Sequence, residues 1–234
     1  MNPFVLFVIV CGLLLILCAV VGYLLGSINS SIILTKLYKK GDIRDHGSGN
    51  AGMTNVLRSV GKLPAALTFV GDFLKCVVAV LLASLAIRLL GVDPGSELEK
   101  IAQYTAGVFC VMGHAFPLYY GFRGGKCIVT AAAMIALTDW RVFLLILATF
   151  LLVFIWKRII SLASIICAAL YPVYTFLITF FLDYQNGRHS LIYLIFVTVV
   201  TLFVGIFVLY RHRSNIGRLR RGEEKPITIG KKTG

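Results

Sequence analysis

Charged residues are scarce: Asp, Glu, Lys and Arg make up 14% of the 234 residues, whereas 59% are hydrophobic and the mean hydropathy is +0.89. A soluble domain of this length cannot bury that much apolar surface, so the chain belongs in a membrane. Linkers, low-complexity tracts and convincing repeats are missing, which leaves a single membrane domain over 1–234 with a short basic tail at 211–234. The N-terminus lacks the basic n-region of a cleavable signal peptide and its apolar run exceeds a typical h-region, so it reads as a retained first span. The six cysteines, Cys11, Cys18, Cys76, Cys110, Cys127 and Cys167, lack metal-ligand spacing and paired loop positions; they read as small apolar fillers. Acidic residues are fewest, ten against twenty-three Lys and Arg, for a formal net charge of +13. That excess is not a nucleic-acid footprint, because interleaved stacking aromatics and a reader motif are both absent.

What is present is a series of apolar segments at about 4–36, 64–91, 101–119, 127–139, 142–157, 160–182 and 190–210. Backbone groups in lipid must be satisfied within the segment, so each is expected to be helical and the fold class is all-α, a polytopic membrane protein of about seven transmembrane helices. The segments 127–139 and 142–157 are shorter than the ~20 residues of a full crossing, and one interrupted or re-entrant hairpin is the alternative, with five spans as the fallback. Seven spans put loops 37–63, 120–126 and 157–160 and the tail on one side. That side carries eighteen Lys and Arg, whereas the other carries only Arg88, Lys100, Arg141 and Arg188. The positive-inside rule makes the first side cytoplasmic, with the N-terminus outside.

Polar chemistry gathers on that side. Gly41 to Lys62 reads GDIRDHGSGNAGMTNVLRSVGK. Gly47, Gly49 and Gly52 permit close backbone approach to an anion, Ser48, Asn50, Thr54 and Asn55 add donors, and Arg58 adds charge. A solvated turn with ordinary positive-inside charge has the same composition. Gly113 to Thr130 reads GHAFPLYYGFRGGKCIVT, placing Gly124, Gly125 and Lys126 where an apolar helix starts, a second anion-binding arrangement. Lys126 also suits a snorkelling interfacial lysine, and His114, as a lone histidine, suits a structural role better than a basic one. Arg211 to Lys225 reads RHRSNIGRLRRGEEK. Arg220 and Arg221, with Lys231 and Lys232 farther along the tail, fit a lipid-surface anchor, while His212 and Asn215 share a helix face through their i, i+3 spacing. Ser161, after Lys157 and Arg158, is a fourth donor. Four phosphate-friendly stretches on one membrane face suggest one site for a phosphorylated substrate. Asp72 and Lys75, a turn apart inside the second span, are costly in lipid unless paired, and a mutual ion pair is the favoured reading over a wall of that site.

Several chemistries are absent. There is no GxSxG elbow, no metal-ligand cluster, no HxxxxD pair of the kind used by soluble-domain glycerolipid acyltransferases, and no Cys nucleophile with a His and Asp set. A covalent protein intermediate is therefore not expected. A membrane phosphatase would need a nucleophilic or metal-binding set. An organophosphate transporter, the non-enzyme alternative, would place ionisable groups at the bilayer midplane in two related halves.

Taken together, GSGNAGMTNVLR at 47–58, GHAFPLYYGFRGGK at 113–126 and HRSNIGRL at 212–219 resemble the three signature motifs of the bacterial acyl-phosphate:glycerol-3-phosphate acyltransferases, the PlsY family, with WKRIISLASI at 156–165 also family-like. The resemblance runs from about Tyr23 to Glu224. It implies a seven-helix enzyme of the bacterial inner membrane that faces the cytoplasm, takes acyl-phosphate and glycerol 3-phosphate, and releases lysophosphatidic acid and phosphate. It implies no metal and no cofactor, and a pathway link to a soluble enzyme that makes acyl-phosphate. By motif matching the active-site polar residues fall on Ser48, Arg58, Lys126, Ser161, His212 and Asn215, and Gly47, Gly49, Asn50, Thr54, Asn55, Gly124, Gly125 and Arg218 fall in the motifs beside them. The expected mechanism is direct attack of the glycerol 3-phosphate C1 hydroxyl on the acyl carbonyl, with cations and donors holding two anions together. Either the departing phosphate or His212 takes the proton. Cys127, Ile128 and Val129 stand where the family commonly has Gly-Val-Ala, Ala51 replaces a frequent Pro and Met53 a frequent Ala.

Overall fold

The computed structural model describes residues 2–224 and Pro226; Lys225, Lys231 and Lys232 of the basic tail lie outside the described residues. The described chain is helical with no strand. Its ten α-helices are α1 (Pro3–Ser27), α2 (Ser30–Lys39), α3 (Met53–Ser59), α4 (Lys62–Arg88), α5 (Glu97–Ala115), α6 (Ile128–Thr138), α7 (Trp140–Lys157), α8 (Ile160–Ile178), α9 (Leu191–Arg211) and α10 (Arg213–Arg220). A π-helical stretch, Thr179–Tyr184, continues α8. Every apolar segment of the sequence is helical. Five stretches among the described residues are long and apolar enough to cross a membrane: Pro3–Lys39, Lys62–Arg88, Trp140–Lys157, Ile160–Tyr184 and Leu191–Arg211. Helix α5 has the length, at 19 residues, but opens on Glu97, Glu99 and Lys100. Helix α6 has 11 residues; at ~1.5 Å per residue it falls well short of a hydrocarbon core of ~30 Å.

The chain packs into two compact units, 1–138 and 139–234. In the first, α1 lies along α5, and α4 packs on α1, α5 and α6. Small residues set the α1–α5 crossing. A Cβ placed on Gly22, Gly26 or Gly113 would collide with the backbone of the facing helix, at Ala106, Cys110 and Tyr23 respectively, so these glycines let the two backbones touch. Above them Cys18, Ala83, Ile87, Ala102 and Ala106 form a core with Leu14, Leu15, Val92 and Leu98 around it. In the second unit α8 packs between α7 and α9.

The run at 4–36, read as one segment, is two helices. Ile28 is extended (φ −68°, ψ 110°) and ends α1. Asn29 then caps α2, its Oδ1 accepting from the Ile32 N–H at 3.2 Å and the Ser31 hydroxyl at 2.6 Å. Hydropathy is blind to this break because the capping side chain replaces the lost backbone partners internally. Other starts follow ordinary capping: Pro3 follows Asn2, Asp139 Oδ1 accepts from the Arg141 N–H at 2.9 Å, and Ser190 Oγ accepts from the Tyr193 N–H at 3.1 Å.

Candidate active site

The loop 41–61 is folded around one amide. Asn55 Nδ2 donates to the carbonyls of Ile43, His46 and Asn50 at 2.9–3.1 Å, while its Oδ1 accepts from the Ser48 N–H at 3.0 Å. The Asn55 side chain is thus directed into the loop, which it shapes. Beneath it Ile43, Ala51 and Val56, all at 0% exposure, pack on Ile32 and Ala65. This small core is what holds a glycine-rich, polar segment in a fixed shape. Gly47 and Gly49 adopt φ of +56° and +68°, which side chains disfavour. The fold leaves Gly47, Ser48, Gly49 and Arg58 exposed and Asn50 and Thr54 half-buried. The Arg58 side chain makes no hydrogen bond or ion pair among the described residues.

Arg44 joins this loop to the next. Its Nε and Nη2 grip Asp42 at 2.6–3.0 Å, and its Nη1 donates to the carbonyls of Tyr120 at 2.6 Å and Arg123 at 3.3 Å. The guanidinium hydrogen bond holds the Asp42 carboxyl below the usual carboxylate range. In the sequence Arg44 reads as one of the basic side chains of a phosphate-friendly loop and as positive-inside charge; the neighbouring Asp42 was the signal for a staple.

The segment 116–127 folds back onto the end of α5. The N–H groups of Gly124 and Gly125 donate to the carbonyls of Ala115 and His114, both at 3.1 Å. Those two donors are already engaged, so the charge this segment carries near α6, which starts at Ile128, is that of the Arg123 and Lys126 side chains. Gly124 and Gly125 serve by being small: a Cβ on Gly124 would strike the His114 carbonyl, and one on Gly125 would strike His114 Nε2 and, at 2.5 Å, the Ala51 carbonyl. The two polar loops therefore meet at Gly125. Cys127, in the position where a glycine is common, keeps the left-handed backbone (φ +67°) that a glycine would favour, and its thiol donates to the Val111 carbonyl at 3.3 Å.

In the second unit, Ser161, Asn215 and Arg218 gather on one carboxylate. Ser161 Oγ and Asn215 Nδ2 donate to Glu224 Oε1 at 2.6 and 2.7 Å, and Arg218 Nε donates to Oε2 at 2.6 Å. Burial pushes the Glu224 carboxyl up, but the hydrogen bonds from Arg218, Ser161 and Asn215 outweigh it and hold the group below its ordinary value. Glu224 closes the third motif stretch and had no assigned role in the sequence. His212 sits at the junction of α9 and α10, 3% exposed, with Nδ1 2.8 Å from the Val208 carbonyl. A carbonyl only accepts, so the ring carries its proton on Nδ1, and Nε2 is the basic nitrogen. Among the described residues no group of His, Cys, Asp and Glu is arranged to hold a metal ion.

Residues 16–222 match the family model described as glycerol-3-phosphate acyltransferase. This chain belongs to the glycerol-3-phosphate acyltransferase family. The acyltransferase is 40% identical over 212 residues to the glycerol-3-phosphate acyltransferase of Clostridioides difficile (strain 630), covering 91% of this chain and 95% of that one. It is 38% identical over 222 residues to that of Rhodospirillum rubrum, covering 94% of each. Among solved structures it resembles the crystal structure of PlsY (YgiH), an integral membrane glycerol 3-phosphate acyltransferase, in its glycerol 3-phosphate form, with a TM-score of 0.71 and 34% identity over 92% of this chain and 96% of that one. The lysophosphatidic acid form of PlsY gives a TM-score of 0.69 at the same identity, over 92% and 95%. The acyltransferase is accordingly an integral membrane enzyme with the PlsY fold.

Proposed function

We propose that this enzyme moves a fatty-acyl group from acyl-phosphate to the C1 hydroxyl of sn-glycerol 3-phosphate, giving 1-acyl-sn-glycerol 3-phosphate and phosphate, at the cytoplasmic face of a bacterial inner membrane. The observation that carries this reading is the meeting of two phosphate-friendly loops at Gly125, with exposed Ser48 and Arg58 on one and Lys126 on the other. The relatives solved with glycerol 3-phosphate and with lysophosphatidic acid support the acceptor and the product.

In this reading Ser48, Arg58, Lys126, Ser161, His212 and Asn215 are the catalytic set, with Gly47, Gly49, Asn50, Thr54, Asn55, Gly124, Gly125 and Arg218 shaping or lining the binding segments. In the same reading the chain 1–234 is one integral-membrane acyltransferase domain with a short basic tail at 211–234. The acceptor hydroxyl attacks the acyl carbonyl, the carbon–oxygen bond to phosphate breaks, and phosphate leaves. Two anions repel each other on approach, so Arg58 and Lys126 lower the barrier by neutralising and orienting them. The hydroxyl proton passes to the departing phosphate or to His212 Nε2, the nitrogen its hydrogen bond leaves basic. Seven helical segments enter the bilayer, α6 being the short one, with the N-terminus outside and the C-terminus cytoplasmic. A soluble enzyme that makes acyl-phosphate supplies the donor.

The test is purified protein in lipid with acyl-phosphate and glycerol 3-phosphate, following both products. Wild type should release phosphate and lysophosphatidic acid in equal amounts, and Lys126→Ala should lose at least ~100-fold in kcat/KM, the scale of removing one preorganised charge. Residual turnover in His212→Ala would identify the leaving phosphate as base. A folded wild-type protein that makes no product from acyl-phosphate would refute the donor assignment.

A further inference from the structure

Three ionisable side chains, Asp72, Lys75 and His114, lie inside the first unit at 2%, 7% and 4% exposure. Lys75 on α4 is their hub. Its Nζ donates to the Ile28 carbonyl at 2.7 Å, lies 2.9 Å from His114 Nδ1 on α5, and is 2.9 Å from Asp72 Oδ1 one turn earlier. The Ile28 carbonyl belongs to the residue where α1 breaks, so the ammonium satisfies a backbone group that the interrupted helix cannot. An ammonium has protons to give and no lone pair: one goes to the Ile28 carbonyl, Asp72 Oδ1 sits at ion-pair distance without a hydrogen bond of its own, and the short approach to His114 Nδ1 makes that nitrogen the acceptor of another. With Lys75 charged, Nδ1 accepts, Asp72 Oδ1 lies 3.7 Å from the same Nδ1, and the imidazole carries its proton on Nε2. That nitrogen is the atom against which a Cβ on Gly125 would collide, next to the Ala51 carbonyl. His114 holds Gly125 a second way, since its own carbonyl accepts the Gly125 N–H at 3.1 Å.

A buried ion pair is weak evidence of stabilisation, because well-packed apolar residues often do as well. Its location is more informative. It ties the α1 break, α4 and α5 to Gly125, where the backbones of both polar loops meet immediately before Lys126.

We propose that His114, oriented by the buried Asp72–Lys75 pair, is a positioning residue that sets the Gly125–Lys126 backbone against the Ala51 loop and so governs affinity for the phosphate of the acceptor. The inference rests on Lys126 being a phosphate ligand. Direct binding of glycerol 3-phosphate separates it from the donor assignment, which only turnover tests.

The experiment compares wild type, His114→Asn, His114→Gln and the double variant Asp72→Asn/Lys75→Met in lipid nanodiscs. It measures binding of radiolabelled glycerol 3-phosphate, KM for each substrate, kcat and thermal unfolding. Asn keeps an acceptor for Lys75 but withdraws from Gly125, whereas the longer Gln amide reaches the Nε2 position. His114→Asn should weaken glycerol 3-phosphate binding and raise its KM by about tenfold, with the KM for acyl-phosphate changed less than about twofold and unfolding unshifted. His114→Gln should recover to within about threefold of wild type. The neutral double variant should raise the same KM without leaving a bare buried charge, and it carries the test if His114→Asn does not fold. Wild-type glycerol 3-phosphate affinity in folded His114→Asn would overturn the proposal. So would equal losses in Asn and Gln accompanied by a matching fall in unfolding temperature, the mark of a purely structural role. Wild type that binds glycerol 3-phosphate yet does not turn over acyl-phosphate would defeat the donor assignment and leave the positioning result readable from binding alone.

Discussion

Cys127 shows at one position how a backbone requirement outlives the residue that usually meets it. The left-handed φ of +67° costs an L-residue about 1–2 kcal/mol, and the buried thiol recovers part of this through burial and its bond to the Val111 carbonyl. Cys127→Gly exchanges that strain for lost packing, so thermal unfolding should place it within about 1 kcal/mol of wild type. Cys127→Val adds a branched side chain to the same backbone in a site only 1% exposed, and should lose about 2 kcal/mol or more. Equal stability in the two variants would mean that the backbone there relaxes freely. Glu224 makes a second residue-scale case. Its carboxylate takes three donors, and Glu224→Gln turns one acceptor into a donor facing donors, at a cost of about 1–3 kcal/mol. The folded carboxyl lies below its ordinary value. Its contribution is therefore fully present above the unfolded glutamate value of about 4.3 and lost as pH falls through the lower folded value. The gap in unfolding temperature between wild type and Glu224→Gln should narrow below about pH 4. The motif residues themselves were legible because glycine, amide and basic side chains are conspicuous in an apolar sequence. Which of them point at a ligand and which build the loop was not, as Asn55 shows: the same amide pattern suits either role until its acceptors are known.

At the scale of elements, helix existence was legible and helix interruption was not. All seven apolar segments are helices because lipid leaves the backbone no other partner, a constraint that acts on composition alone. The break at Ile28 and the π-helical turn at Thr179–Tyr184 depend instead on particular hydrogen bonds, the first on Asn29 and, from another helix, on Lys75. The favoured sequence reading of Asp72 and Lys75 as a mutual pair matches their 2.9 Å separation, but the partners at Ile28 and His114 lie 47 and 39 residues away and carry no sequence signal. Glycines divide in the same manner. Gly12 has nothing within 4 Å of a placed Cβ, whereas Gly26 would press its Cβ into the Cys110 carbonyl. Gly12→Ala should be neutral or gain up to about 1 kcal/mol from helix propensity, while Gly26→Ala forces α1 from α5 and should cost about 2 kcal/mol or more. Thermal unfolding of the pair decides it, and a harmless Gly26→Ala would show that the α1–α5 contact tolerates separation.

For the molecule as a whole, the proposed seven-span orientation rests on eighteen basic residues on one side against four on the other, a distribution that insertion reads rather than packing. The proposed topology places Asp45 and Arg213 inside and Asn186 outside, and all three are exposed on the protein surface. The six native cysteines are all buried, so the unmodified chain gives a low background to thiol reagents. Single substitutions Asp45→Cys, Arg213→Cys and Asn186→Cys, treated in intact cells with a membrane-impermeant maleimide, should label at 186 alone; permeabilised cells should label at all three. The length of α6 makes the outcome informative. Were its 11 residues to turn back rather than contribute a crossing, the count between Asp45 and Arg213 would become odd, and those two positions would fall on opposite sides of the membrane. Labelling of Arg213→Cys but not Asp45→Cys in intact cells would thus replace the proposed seven crossings with an even number and put position 213 on the opposite membrane face from position 45, against the proposal of one cytoplasmic reaction.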